Sequence, residues 1–224
     1  MIVQIYEVTT PAEARTLGEM GVDHIGVLVG DASFPREQTI EKAREIFAAI
    51  PAGSKASALS LSHDVDLIVR ITTALMPDIL HLGAAPQHLS PAQVRTLKTG
   101  FPQVALMRSI PVVDESSIAL ARSYDGVADW LLLDTYESGD RQIGALGVTH
   151  SWDLDRRIVE SVRIPVIIAG GLGPENVQEA IRLIRPAGVD SKTKTDRSDR
   201  THTKDLQKVS AFVTAARDAN NRLI

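Results

Sequence analysis

The sequence predicts a single (β/α)8 barrel spanning residues 1–224. Eight short apolar runs alternate with longer helical patterns. No change of composition breaks the series. The length suits one closed barrel, a fold that reaches this size without splitting. Near-continuous apolar strands joined by helices imply a parallel sheet covered on its outside. Eight units in this length fit a closed barrel better than an open doubly wound sheet.

The first strand is Ile2 to Tyr6. Thr10-Pro11 then starts a helix, a capping residue followed by proline at the first helical position, and Gly21 ends it. The second strand is His24 to Val29, and its helix runs from Glu37 to Ile50 with Ile40, Ala43 and Ile46 on one face. The third strand, Ala56 to Leu61, leads to a helix that begins near Ser62 or Asp64 and carries Val65, Ile68, Val69 and Thr72. The fourth strand is Ile79 to Leu82, and Ser90-Pro91 repeats the Thr10-Pro11 start. The fifth is Val104 to Ser109, with a helix from Glu115 to Arg122. The sixth, Trp130 to Leu133, ends in Asp134. The seventh is Pro165 to Ala169, and Gly173-Pro174-Glu175 opens its helix. The eighth is Gly188 to Asp190, and the last helix covers Asp205 to Ala216. The polar stretch from Ser191 to Lys204 lacks apolar periodicity and follows a strand, so it falls on the face where barrel active sites form.

Composition removes several function classes. Net charge is -4, only 4% of residues are aromatic, and no Lys/Arg stripe is interleaved with aromatics, so nucleic acid is not an expected partner. There is no cysteine, which excludes disulfides, thiolate metal sites and a cysteine nucleophile. No apolar run approaches the roughly 20 residues of a membrane span. The N-terminus MIVQIYEVTT lacks a signal-peptide pattern, so a cytoplasmic location is the default expectation.

The most informative segment runs from Val166 through Gly170-Gly171 to Val177. An apolar strand meets two glycines and then a helix start. Glycine lets a ligand approach the backbone, and free amides at a helix N-terminus favour an anion. Loops after the seventh and eighth barrel strands are the common phosphate site. A tight turn that needs glycine for conformation alone is the bland alternative. Asp134, at the C-terminal end of a strand, stands where barrel enzymes place catalytic groups; the bland alternative is a carboxylate that caps a loop.

These segments resemble phosphoribosylanthranilate isomerase. IIAGGLGPENVQEAI, then Gly188-Val189-Asp190, then Lys204-Asp205 match in order, as do PAEARTLGEMGVDHIGV, FPREQTIEKAREI, LLLDT, and GALG at Gly144–Gly147 before Ser151-Trp152. The resemblance covers nearly the whole chain. It implies an Amadori rearrangement of a small phosphorylated sugar amine, without a cofactor. It places Asp134 on the family's general acid and Arg36 where the family contacts the anthranilate moiety. Phosphate would be held by Gly170, Gly171, Asp190, Ser191 and Lys192.

The chain departs from the family where ligands bind. Lysine-isoleucine-cysteine-glycine of the family's first strand is Gln4-Ile5-Tyr6-Glu7 here, so Tyr6 replaces the base and Glu7 a glycine. Tyrosine, with a reference pKa of about 10, is a poor base. Glu7 is a better one, provided the strand has ended before it, since strand neighbours face opposite sides. His81 replaces a glutamine and is a further candidate base, with Tyr6 left as a ligand contact. Arg108 falls where the family often has lysine, and its fork suits a carboxylate or phosphate. A metal bound by His24, His81, His150, Asp134 and Glu7 has no close ligand spacing to support it, and none is expected. The expected activity is therefore a sugar-phosphate isomerase with a shifted substrate. A non-catalytic phosphometabolite-binding barrel is the main alternative. Two others are an epimerase or aldolase, the latter needing Lys192 or Lys194 as a Schiff base, and the family's own reaction with a relocated base. Monomer and homodimer both fit.

Overall fold

The structure, a computed structural model, describes residues 1–136, 151–199 and 202–222. Eight parallel strands close into a barrel in chain order: β1 (Ile2–Ile5), β2 (His24–Leu28), β3 (Lys55–Ser60), β4 (Ile79–Leu82), β5 (Ala105–Pro111), β6 (Trp130–Asp134), β7 (Val166–Ile168) and β8 (Gly188–Ser191). Helices follow them in turn: α1 (Pro11–Glu19), α2 (Ile40–Phe47), α3 (Val65–Leu75), α4 (Pro91–Gly100), α5 (Ser116–Tyr124), α6 (Trp152–Ser161), α7 (Val177–Ile184) and α8 (Leu206–Asn221). Pairing of β1 with β8, Ile2 opposite Gly188 to Ile5 opposite Ser191, completes the ring.

The predicted caps form. Thr10 accepts from the Glu13 amide, and Asp205 accepts from the Gln207 and Lys208 amides. Ser90 and Gln93 build a reciprocal capping box. Helix α2 starts at Ile40 rather than Glu37. Gln38 bridges in parallel to Val29 and Thr39 is extended, ψ 161°, so Thr39 caps the helix through the Lys42 amide. Strand β1 ends at Ile5, one residue short of the expectation, and β5 runs on to Pro111. The polar stretch after β8 is not structureless: a 3-10 turn at Thr193–Thr195 precedes an antiparallel bridge between Asp196 and Lys204.

Strand parity sorts the core into two parts. Val3, Ile5, Leu80, Leu82, Leu106, Ile110, Leu131 and Leu133 face the helices within the main apolar cluster. Tyr6, Ile79, Met107, Leu132, Ile167 and Ala169 form a second cluster inside the barrel. Polar groups share that interior in two chains. In one, Gln4 joins the His24 ring (3.1 Å) to Asp190 (3.2 Å). In the other, Ser57, Tyr6, His81 and Ser109 are linked in succession, each contact 2.7 Å. Paired in this way, buried polar side chains avoid the desolvation penalty of unmet hydrogen bonds.

Room for the Tyr6 ring comes from Gly26 on the neighbouring strand. A Cβ built there would lie 1.9 Å from Tyr6 Cδ1. Gly26→Ala is expected to cost about 1–3 kcal/mol, because the ring cannot move without breaking its bonds to Ser57 and His81. Gly100→Ala, where a Cβ meets nothing within 4 Å, is the control. Equal denaturation midpoints for the two variants would contradict the packing described.

Candidate active site

A small cleft, partly open to solvent, lies at the C-terminal ends of the last three strands. Asp134, Gly170, Gly171, Leu172, Asp190 and the segment Ser191 to Lys194 line it. Gly170 and Gly171 both take left-handed backbone, φ 77° and 64°. Only glycine does so freely, and the absence of side chains leaves backbone amides exposed to the cleft. Asn176 braces the loop, its side chain accepting from the Gly173 amide (2.8 Å) and donating to the Gly171 carbonyl (3.1 Å).

The acidic groups sit above the barrel floor. Strand register puts Asp134, Ala169 and Asp190 at one level: the Ala169 amide bonds the Leu133 carbonyl, and Ile168 pairs with Val189. Two inward carboxyls thus flank a small alanine. With neighbouring strands about 4.8 Å apart, both are within reach of one ligand. Asp134 is half-buried at the rim, where one oxygen accepts from the Thr135 amide at 2.8 Å. Asp190 lies deeper, and its carboxyl is pushed up to about 8, first by burial and next by the charge on Asp134, against the opposing bond from Gln4. It therefore carries a proton at neutral pH.

Asp190 lines the cleft, and its carboxyl accepts from the Gln4 side chain at 3.2 Å inside the barrel. Ser191 reaches the cleft through its backbone, because its hydroxyl donates outward to the Leu172 carbonyl at 2.7 Å. Lys192 and Lys194 rim the cleft, Lys194 lying 3.6 Å from Glu175.

Arg108 needs a larger correction. With Met107 and Ser109 inside the barrel, Arg108 points outward between sheet and helices. It is fully buried, donates to the Leu82 carbonyl at 2.7 Å and lies 5.3 Å from the centre of the Tyr124 ring. No ligand in the cleft can touch it. Tyr6 and His81 belong to the floor. Burial raises the Tyr6 hydroxyl well above 10 and lowers His81 to about 3, with the Arg108 charge adding to the latter. His81 is thus neutral, with both ring nitrogens engaged, and offers a ligand no free base.

Glu7 and Arg36 come together at the mouth. Because β1 has ended, Glu7 escapes strand alternation. It holds a left-handed backbone, φ 60°, and both its oxygens meet the Arg36 fork at 2.5 and 3.0 Å. Lys192 approaches Glu7 from the other side at 3.4 Å. Asp196 lies 3.9 Å from Lys192, and the fully buried Lys204 ammonium binds Asp196 at 2.5 Å. Gln4, Asp196 and Lys204 support the groups at the site without lining the cleft, and sequence reasoning gave them no such part. Gln4 had a signal in the strand parity it shares with Tyr6, whereas Asp196 and Lys204 lay hidden in a stretch without periodicity.

Among the described residues no three His, Cys, Asp or Glu side chains gather as a metal site, and no helix is long and apolar enough to cross a membrane. His24 is buried against Trp130, its ring centre 5.6 Å away. His150 and Gly144–Gly147 lie outside the described residues.

A closed parallel barrel with paired carboxyls and a double-glycine loop at the C-terminal face defines a barrel of the kind that works on small anionic ligands. Comparison with known proteins narrows it further. Residues 3–215 match the family described as N-(5'phosphoribosyl)anthranilate (PRA) isomerase. The N-(5'-phosphoribosyl)anthranilate isomerase of Methanocella arvoryzae is 36% identical over 216 residues, 96% of this chain and 97% of that protein. Among solved structures, the isomerase from Pyrococcus furiosus superposes with a TM-score of 0.77 at 25% identity, covering 97% and 99% of the two chains. A phosphoribosylanthranilate isomerase solved with reduced 1-(o-carboxyphenylamino)-1-deoxyribulose 5-phosphate shares the fold, with a TM-score of 0.76 at 22% identity over 97% and 100%. The chain belongs to the phosphoribosylanthranilate isomerase family.

Proposed function

We propose that this barrel isomerises an N-substituted phosphoribosylamine to the aminodeoxyketose phosphate, and that Asp134 and Asp190 carry the proton transfers. The observation behind this reading is the pair of inward carboxyls in one cleft, where burial and the Asp134 charge push the Asp190 carboxyl up to about 8. Such a pair supplies what an Amadori rearrangement requires, one acid and one base on the same ligand. Asp190, the protonated member, donates to the ring oxygen, so the acid role expected at Asp134 passes to Asp190 and Asp134 is the base. The C1–O bond breaks, and the nitrogen lone pair forms a C1=N iminium. The ionised member takes the proton from C2, giving an enolamine. Protonation at C1 and loss of the C2 hydroxyl proton give the ketone, so the pair ends with the one proton it began with.

The other candidate bases support this assignment by what they lack. Tyr6 and His81 are bonded into the floor, and Glu7 is held by Arg36 and Lys192. The double-glycine loop, with Lys192 and Lys194 beside it, suits the phosphate. A binding protein without turnover is the reading favoured by the replacement of the family's cysteine by Tyr6. Complementation separates the two. A tryptophan auxotroph lacking the isomerase, given this chain at high expression, is expected to grow without tryptophan. Failure to grow, with soluble protein present, would favour binding alone.

A further inference from the structure

The register of three neighbouring strands sets His24, Gln4 and Asp190 side by side: Gln4 pairs with His24 of β2 on one flank and with Asp190 of β8 on the other. His24 opens β2, and Asp190 stands one residue before the end of β8, so the row climbs from the closed end of the barrel to the cleft. All three side chains are buried, Gln4 completely. Gln4 does not line the cleft and reaches a ligand only through Asp190, which does.

A protonated carboxyl offers its proton from one oxygen, and that oxygen must be the one a ligand meets. The orientation of the Gln4 amide decides which it is. Its nitrogen lies 3.2 Å from Asp190 Oδ1 and 4.0 Å from the Met107 sulfur, and its oxygen lies 3.1 Å from His24 Nδ1. A thioether accepts and cannot donate. The nitrogen therefore belongs between these two acceptors, and the oxygen calls for a donor at His24 Nδ1. Burial lowers His24 to about 4, so at neutral pH its ring is neutral and has one N–H to give. With Oδ1 already accepting from Gln4, the proton belongs on Oδ2, the oxygen left for the cleft. The reversed amide would take the proton at Oδ1, away from any ligand. The Gln4 bond also strengthens as the carboxyl gives up its proton and becomes an anion.

We infer that Gln4, oriented by His24 and Met107, is the positioning residue of the acid: it directs the Asp190 proton to the oxygen that meets the substrate. This rests on the isomerase reading above, in which Asp190 is the acid.

The neighbours of Asp190 fix the signs of its pH response. Asp134 on β6 and Glu7 just past β1 favour the protonated form, whereas the Gln4 bond and Lys204 favour the ionised one. The Tyr6 hydroxyl, raised well above 10, and the His24 ring are uncharged at neutral pH, and β7 with the residue after it turns Ile167 and Ala169 inward. Gln4→Lys adds a cation beside the carboxyl. Gln4→Met keeps the length of the side chain and removes the bond.

Two measurements test the inference. Nitrogen-15 NMR of the wild type reads the His24 tautomer without any substitution. Nδ1–H is expected, and Nε2–H would turn the amide around and overturn the inference. Carbon-13 NMR of the aspartate carboxyls, with Asp190→Asn to assign the signal, then follows the Asp190 proton. Its midpoint should fall in Gln4→Lys and rise in Gln4→Met, opposite shifts that a general loosening of the fold does not produce. In Gln4→Met, kcat for phosphoribosylanthranilate should drop about tenfold with KM unchanged, the scale of one hydrogen bond to a charged group. One midpoint in all three proteins, or an unchanged kcat in Gln4→Met, would also overturn it. Should the isomerase reading alone be wrong, the tautomer and the midpoints would stand while no protein turns the substrate over.

Discussion

Asp190→Asn is expected to lower kcat for phosphoribosylanthranilate by about 10²–10⁴, the contribution of one positioned acid–base group, with little change in KM. Asp134→Asn should do the same. The pH profile separates a chemical role from a structural one. Burial and the Asp134 charge hold the Asp190 proton up to about 8, so the acid is present below that pH and lost above it. Wild-type kcat/KM should therefore fall above pH 8. In Asp134→Asn the neighbouring charge is gone, one cause of the raised value disappears, and the residual activity should fall at lower pH. Stability carries the same sign. An unfolded Asp190 releases its proton near 3.8, whereas the folded one keeps it to about 8. The native state then binds more protons across that window, so this group's contribution to stability is present in full below 3.8, falls as pH rises and is lost by 8. Asp190→Asn should abolish that slope. Unchanged turnover in Asp190→Asn would remove it from the mechanism.

The second large effect is expected at Lys204, outside the cleft. Its ammonium is fully buried, binds Asp196 at 2.5 Å and donates to the Lys192 carbonyl at 3.2 Å, while its amide donates to Glu13 at 2.7 Å. Burial lowers its pKa, and the Asp196 charge opposes that shift. Lys204→Met leaves Asp196 buried with the more distant Lys192 and His202, each at 3.9 Å, and breaking a buried pair from one side costs about 3–5 kcal/mol. The paired variant Lys204→Met/Asp196→Asn should recover much of the loss, since no uncompensated charge remains. Urea denaturation of the two single variants and the double gives the coupling directly. Purely additive losses would contradict the ion pair.

Much of the barrel was legible in the sequence, and for a physical reason. Helix starts are local: Thr10, Ser90 and Asp205 cap with atoms two or three residues away. The double-glycine loop was legible for the same reason. Inward and outward positions were not, because strands buried on both faces are apolar throughout and show no alternation. Arg108 was misplaced on that account: Leu106, Met107, Ser109 and Ile110 are all buried, so nothing in β5 marks which neighbours face the cleft. Asp190 was found, but its protonation was not legible, since that depends on Asp134, more than fifty residues earlier in the chain. Glu7 and Arg36 were each noticed. Their pairing was not, because it needs two left-handed residues brought together across the mouth.

Everything above turns on whether Asp134 and Asp190 carry out the rearrangement with Tyr6 in place of a cysteine. The most direct test is the initial rate at which purified protein removes the fluorescence of phosphoribosylanthranilate at high substrate concentration, measured beside Asp134→Asn. Turnover in the wild type, lost in the variant, is the predicted result. No turnover at any pH where the protein stays folded, with the reduced product analogue still bound, would contradict it.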